Sequence, residues 1–186
     1  MKSASSLTNQ LLIALPDLHD PYFYQSVTLI CEHNENGAMG IVINQPTEIP
    51  FEELLTQLEI DFSSEHASPT ILMGGPVHEQ AGFILHSAEG EWESSLRINE
   101  QVCLTSSKDI LTAMGVGKGP KKASLLLGYA GWGAGQLEEE IMSNSWLTAP
   151  VTSEILFDIP IDKRWGAAAK SIGVDLSRLS SETGHA

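Results

Sequence analysis

Val27-Thr28-Leu29-Ile30-Cys31-Glu32-His33-Asn34-Glu35-Asn36-Gly37-Ala38-Met39-Gly40-Ile41-Val42-Ile43 carries two short apolar runs, 27–31 and 40–43, around a polar stretch at 32–37. The runs suit a sheet. Asn36-Gly37 is the strongest short hairpin signal, because both central residues of such a turn can take positive φ. The segment therefore predicts a local antiparallel pair. Asn44-Gln45-Pro46 ends its second strand, since Pro cannot donate to a ladder.

Outward from that pair, residues 11–15 read as a first strand. Pro50 starts a helix whose Phe51, Leu54, Leu55 and Leu58 share one face at i, i+3, i+4, i+7, with Glu52 and Glu53 complementing the dipole of its first turn. Residues 61–69 are expected as an exposed loop and 70–73 as a buried strand stopped by Gly74-Gly75-Pro76. Residues 82–86 read as its neighbour, 88–93 as an acidic loop, and 97–104 as one loosely alternating strand. Ser106 or Ser107 can cap a helix over 108–114 that Gly115 ends. Residues 124–129 predict a fully buried central strand, and 136–143 a helix with Leu137 and Ile141 inward. Residues 154–159 resemble a late strand. Asp162 can cap a final helix whose Trp165, Ala168, Ala169 and Ile172 form its inner face, with Gly173 as the stop. Strands outnumber helices and one hairpin is local. The expected fold is α+β: a single compact domain over 1–186, residues 1–6 flexible, with a mixed, largely antiparallel sheet, a barrel-like form of it being one alternative, flanked by three to four helices.

The 186 residues include 10 Lys+Arg against 24 Asp+Glu, a formal charge of −14, and 42% are hydrophobic. That apolar fraction excludes wholesale disorder. No apolar run approaches the roughly 18 residues a bilayer crossing needs. The apolar stretch at 11–15 is also too short for a secretory signal, so a cytoplasmic, reducing location and no membrane contact are expected. Cys31 and Cys103 sit in apolar runs without a CxxC pair, which reads as two buried, inert thiols. Only Lys118, Lys121 and Lys122 cluster. Against a field of −14, direct binding to nucleic acid is not expected.

Gly131-Trp132-Gly133-Ala134-Gly135-Gln136 follows a strand and opens a helix, a context that suits phosphate. Its spacing is not G-x-G-x-x-G, and Glu138, Glu139 and Glu140 in the first turn would repel a polyphosphate. Close backbone packing around Trp132 explains the stretch better. None of the six His shows H-x-H or H-x-x-x-H spacing, so neither a metal nor another cofactor is expected. There is no G-x-S-x-G elbow, and neither Cys has an adjacent basic residue to lower its pKa. Catalytic residues are therefore unassigned. The polar residues placed at strand ends are Asp20, Glu32, His33, Asn44, His86 and Gln136. One reading makes the surrounding motifs turns that set the backbone, with Phe23 and Trp132 in the core. The other gathers those six side chains at one sheet edge as a ligand-binding set.

The motifs themselves resemble the AlgH/YqgE family of bacterial proteins. Leu12-Ile13-Ala14-Leu15-Pro16, Asp20-Pro21-Tyr22-Phe23, Cys31-Glu32-His33-Asn34, Gly37-Ala38-Met39-Gly40 and Asn44-Gln45-Pro46 follow its order. So do Gly74-Gly75-Pro76-Val77, Gly82-Phe83-Ile84-Leu85-His86-Ser87, the run from Leu127 to Glu138, and the terminal Gly184-His185-Ala186. Leu15 departs from the pattern, where a Met is familiar. The resemblance implies a compact α/β-type domain in the bacterial cytoplasm and a label as a transcriptional regulator, but no DNA-reading element and no accepted catalytic residue.

Two functions stay open at this point. The first is a non-enzymatic protein that acts through contacts with a protein or a small ligand, its identity unknown. The alternative is an enzyme, a hydrolase for example, using Glu32, His33 or His86 as acid–base groups. That would require those side chains to converge within about 3 Å, directly or through one water. A dimer formed through exposed strand edges and Trp92 or Trp146 is also open.

Overall fold

The computed structural model describes residues 6–18, 20–63 and 69–182. Residues 1–5, His19, most of the expected 61–69 loop and the terminal Gly184-His185-Ala186 lie outside the described residues. The strands are β1 (Gln10–Ala14), β2 (Val27–Asn34), β3 (Gly37–Val42), β4 (Ile71–Met73), β5 (Val77–Ser87), β6 (Ser95–Arg97), β7 (Val102–Thr105), β8 (Ala123–Gly133) and β9 (Trp146–Pro150). They form one sheet in the order β6-β7-β5-β8-β3-β2-β1-β9, curled into an antiparallel half-barrel. β4 is the parallel exception and runs beside β8. The fold is thus the mixed, largely antiparallel α+β domain that the strand-rich pattern predicts. Asn99, in the β6–β7 turn, donates Nδ2–H to Asn9 Oδ1 at 2.9 Å and ties one side of the sheet to the lead-in of β1.

Both faces of the sheet are covered over its middle, so the central stretches of its inner strands are largely apolar. Leu11 and Ile13 face one cluster with Leu29, Ile41, Leu85, Leu104 and Leu126, while Leu12 and Ala14 face another with Ile30, Trp132, Leu137 and Trp146. Each such fully buried Leu or Ile contributes about 1.5–3 kcal/mol relative to exposure. Helices α1 (Phe51–Gln57) and α2 (Lys108–Gly115) cover β5 and β8. α3 (Gln136–Met142) covers β2 and β8. α4 (Arg164–Lys170) and α5 (Leu176–Glu182) close the opposite face. Arg164 fastens α4 from inside: its guanidinium donates to the carbonyls of Ile43 at 2.6 Å and Ile159 at 3.0 Å. Trp165 adds an indole N–H to the carbonyl of Ala14 at 2.8 Å.

Several local expectations change. In the hairpin Asn34 pairs with Gly37, so Glu35-Asn36 form the turn and neither has positive φ. Gly37 is needed one place later: at φ 136° it lies against Trp132, and a Cβ there would sit 2.2 Å from the Trp132 carbonyl oxygen. The expected single strand over 97–104 is instead two, β6 and β7, folded back on each other. The glycines at 131 and 133 belong to β8, where exposed glycine alternates with buried Trp132. Residues 154–159 do not form a strand. Glu154–Asp158 make a turn of π-helix, and the edge strand is β9, which pairs with β1 from Gln10↔Pro150 to Ala14↔Trp146. A 3₁₀ turn at Ile161–Lys163 precedes α4, and α5 follows it, beyond the last expected helix. No helix among the described residues is long and apolar enough to cross a membrane.

Candidate functional site

Where α1 and α2 lie over β5 and β8, the helices do not fill the sheet surface completely. A cleft of about 220 Å³ remains, walled by Leu54, Leu58, Ile84, Leu111, Leu125 and Leu127. Thr105, Ser106, Ser107 and Lys108 stand at one end of it, with Gln80 on β5. The local sequence explains both characters. β5 and β8 present leucine and isoleucine to the helices, whereas the β7–α2 junction is Thr105-Ser106-Ser107, a hydroxyl-rich helix start.

The Ser107 hydroxyl makes no capping bond to α2 and instead donates to Asp109 Oδ1 at 2.5 Å. Asp109 Oδ2 accepts the Glu93 N–H at 2.9 Å. The Ser107 hydroxyl bond, followed by backbone N–H bonds, holds the Asp109 carboxyl below the usual carboxylate range. The polar end is therefore preorganised before any ligand arrives.

The six strand-end residues fall in three separate places. At the β2–β3 turn, His33 is buried with both ring nitrogens occupied: Nδ1 accepts the Leu7 N–H at 2.8 Å, and Nε2–H faces the Glu138 carboxylate. Its own backbone N–H, then the His33 ring, hold the Glu138 carboxyl below its ordinary range. Gln136 lies nearby and accepts the Gly133 N–H at 3.0 Å. Glu32 points away from His33 into a shallow groove shared with Asn34, Asn36 and Trp132.

At the other end of β2, Asn44 accepts the Val27 N–H at 2.8 Å and donates to the Gln25 carbonyl at 2.9 Å. Asp20 accepts the Tyr22 N–H at 2.9 Å in an exposed turn. His86 sits apart on β5, bonded to the Ser87 carbonyl at 2.7 Å and to Thr105 Oγ1 at 2.6 Å. One sheet edge does not gather these residues, and Glu32, His33 and His86 do not converge. His33, Asn44, Gln136 and Asp20 spend their bonds on the chain itself.

The apolar cleft uses Leu54 and Leu58, expected on a helix face, Ser106 and Ser107, expected as caps, and Leu111, which falls in the expected 108–114 helix without an assigned face. Their one available signal was the run of three hydroxyl residues before Lys108. Among the described residues, no three His, Cys, Asp or Glu side chains stand together as a metal set.

Comparison with known proteins adds a lineage. The AlgH-like family matches residues 11–177. A UPF0301 protein of Thioalkalivibrio sulfidiphilus is 53% identical over 186 residues, covering 100% of both chains. One from Xanthomonas campestris is 54% identical over 181 residues, 97% of this chain and 96% of that one. The solution structure of the AlgH protein from Pseudomonas aeruginosa superposes with a TM-score of 0.76 at 44% identity, covering 100% of both chains. A crystal structure of a Corynebacterium diphtheriae protein shares the fold alone, with a TM-score of 0.74 at 20% identity over 97% of this chain and 94% of that one.

Proposed function

We propose, for a chain that belongs to the AlgH-like family, that it acts by binding a small, uncharged, largely apolar molecule in the cleft under α1 and α2. The carrying observation is the cleft's make-up: about 220 Å³ of leucine- and isoleucine-lined space with hydroxyls at one end. A cavity of roughly 150 Å³ accepts a benzene ring, so this one suits a substituted ring of about indole size. A mostly apolar wall with a few fixed polar groups is how small-molecule sites are usually built. The charge of −14 repels anions at long range, and Lys108 at the mouth opposes a cation. An uncharged ligand with one hydrogen-bonding substituent fits both constraints.

We propose a regulatory role in the same terms: ligand occupancy would stiffen α1 and α2 and alter contacts with a protein partner, with no duplex reading involved. The test is methyl NMR and thermal shift with indole as probe. Saturable shifts at the Leu111 and Leu125 methyls, with a raised midpoint, are expected, and Leu111→Trp should abolish both by filling the space. Absence of saturable shifts up to the solubility limit of indole would remove this reading.

A further inference from the structure

We propose that Ser95 is a nucleophilic hydroxyl, activated through Thr105 by His86, in a second cleft that receives an activated acyl group such as an ester or thioester. Thr105 also lines the apolar cleft, so the two clefts meet at that residue, but this proposal does not depend on a ligand in the other. β5, β7 and β6 are consecutive in the sheet, with His86↔Cys103, Ile84↔Thr105 and Ser95↔Thr105 as partners. That register brings His86, Thr105 and Ser95 onto one face. His86 is 1% exposed and Thr105 0%, whereas Ser95 is exposed.

The proton order follows from what each atom can do. The Ser87 carbonyl can only accept, so His86 Nδ1, 2.7 Å away, carries a proton. In the neutral ring Nε2 is then a lone pair, and it accepts the Thr105 hydroxyl at 2.6 Å. Thr105 has one proton to give. Its oxygen therefore accepts from Ser95 Oγ across their 3.0 Å contact, and the sense reverses only when the ring is doubly protonated. Burial, the largest influence, pushes the His86 pKa down and keeps the ring neutral, while the Ser87 carbonyl and Glu89 pull the other way.

The cleft around this relay is built. It has a volume of about 370 Å³, and its walls include His86, Trp92, Ser95, Arg97 and Cys103. The Trp92 ring meets His86 edge-on at 6.4 Å, and its indole N–H donates to the Glu89 carbonyl at 3.2 Å. Gly90 makes this possible: at φ 83° a Cβ would lie 2.8 Å from the Trp92 ring. Arg97, whose guanidinium also donates to the Glu100 carbonyl at 3.2 Å, is the cation among the lining residues, beside the Glu91 carboxylate, and in this proposal would face the developing oxyanion.

In the step, Ser95 Oγ bonds to the acyl carbon. Its proton passes to Thr105, whose own proton passes to His86 Nε2. The bond to the leaving group then breaks, and the leaving group departs with the electron pair, to be protonated from His86 or to leave as an anion. Water entering along the same relay would release the acid.

The test uses p-nitrophenyl acetate, with p-nitrophenolate release followed optically and acetylation mapped by peptide mass spectrometry. Stoichiometric acetylation of Ser95 is expected, lost in Ser95→Ala. Thr105→Val should acetylate about 100-fold more slowly, the scale of general-base assistance, whereas Thr105→Ser should stay within a few-fold of the parent. Ser94, its exposed neighbour in sequence, is an internal control that needs no variant to fold. Acetylation confined to lysines or cysteines, equal modification of Ser94 and Ser95, or an undiminished Thr105→Val rate would each overturn the proposal.

Discussion

His33 and Glu138 join the β2–β3 hairpin to α3, and because His33 Nδ1 also accepts the Leu7 N–H, one buried ring fastens the N-terminal lead-in as well. The ring is thus a clamp with both nitrogens engaged. Glu138 is partly exposed, so Glu138→Ala should cost about 1.5 kcal/mol, the lower end for a charge-assisted bond. His33→Ala orphans the Leu7 amide too and should cost about 3 kcal/mol. Urea unfolding measures both, and faster exchange at the Leu7 amide should accompany only the second.

Glycines that share a left-handed backbone should differ sharply in tolerance. Gly128 has φ 74°, and its Cβ would lie 2.4 Å from the Gly75 carbonyl oxygen; Gly135 has the same φ with nothing within 4 Å. Gly135→Ala should therefore cost only the conformational term, about 1–2 kcal/mol. Gly128→Ala adds a backbone collision and should exceed about 4 kcal/mol, at the extreme for one substitution. Equal unfolding midpoints for the two variants would refute this.

Glu140 accepts two indole N–H groups, from Trp132 at 3.3 Å and Trp146 at 3.2 Å. Glu140→Gln keeps an acceptor and should be nearly silent. Glu140→Leu leaves both donors unpaired and should cost about 2–3 kcal/mol. Near-ultraviolet circular dichroism, which reports the packed Phe23, Trp132 and Trp146 rings, should change only for the Leu variant.

His86 makes folding depend on pH in a defined direction. Its native pKa is lowered by burial, so between that value and the unfolded value of about 6.5 the unfolded chain binds more protons. Its stabilising contribution is complete above about 6.5 and is lost as pH falls through the native value. Glu89, Glu91 and Arg97 are the charged groups around it, with Cys103 on the facing strand. The difference in unfolding free energy between parent and His86→Gln should shrink as pH falls from 7.5 to 5.5, and a difference that does not change would contradict the burial argument.

Cys31 is 3% exposed, and burial followed by the charge of Glu32 pushes its pKa up to about 12. Its thiolate is therefore scarce at pH 8. Iodoacetamide should leave it unmodified in the native protein and alkylate it fully in urea, as peptide mapping would show.

Local chemistry was readable where a few adjacent residues decide the outcome. Asn36-Gly37 marked the hairpin, although the glycine is required by the Trp132 carbonyl rather than by the turn itself. The 50–58 pattern gave α1, since Phe51 and Leu55 do face inward. Residues 154–159 failed because a short apolar run has no period to separate strand from helix. β9, whose five residues end in Pro150, offered too little alternation to see. The sites were less legible for a related reason. His33 and Glu138 are 105 residues apart, and His86 meets Thr105 only through a strand register. The expectation of one polar cluster assumed a shared edge, whereas the bonds of Asn44 and Gln136 go to backbone groups beside them.

β8 pairs with β3, β4 and β5, all of which precede it in the chain. During synthesis, then, the hairpin leaves the ribosome with one flank unpaired and stays so until residues 123–133 follow. Such delayed, long-range closure slows folding and leaves a nascent chain open to intermolecular pairing. A chain stopped before Ala123 should aggregate. One extended to Gly133 gains the strand that unites the halves, which makes the middle of translation the hazardous interval for this protein.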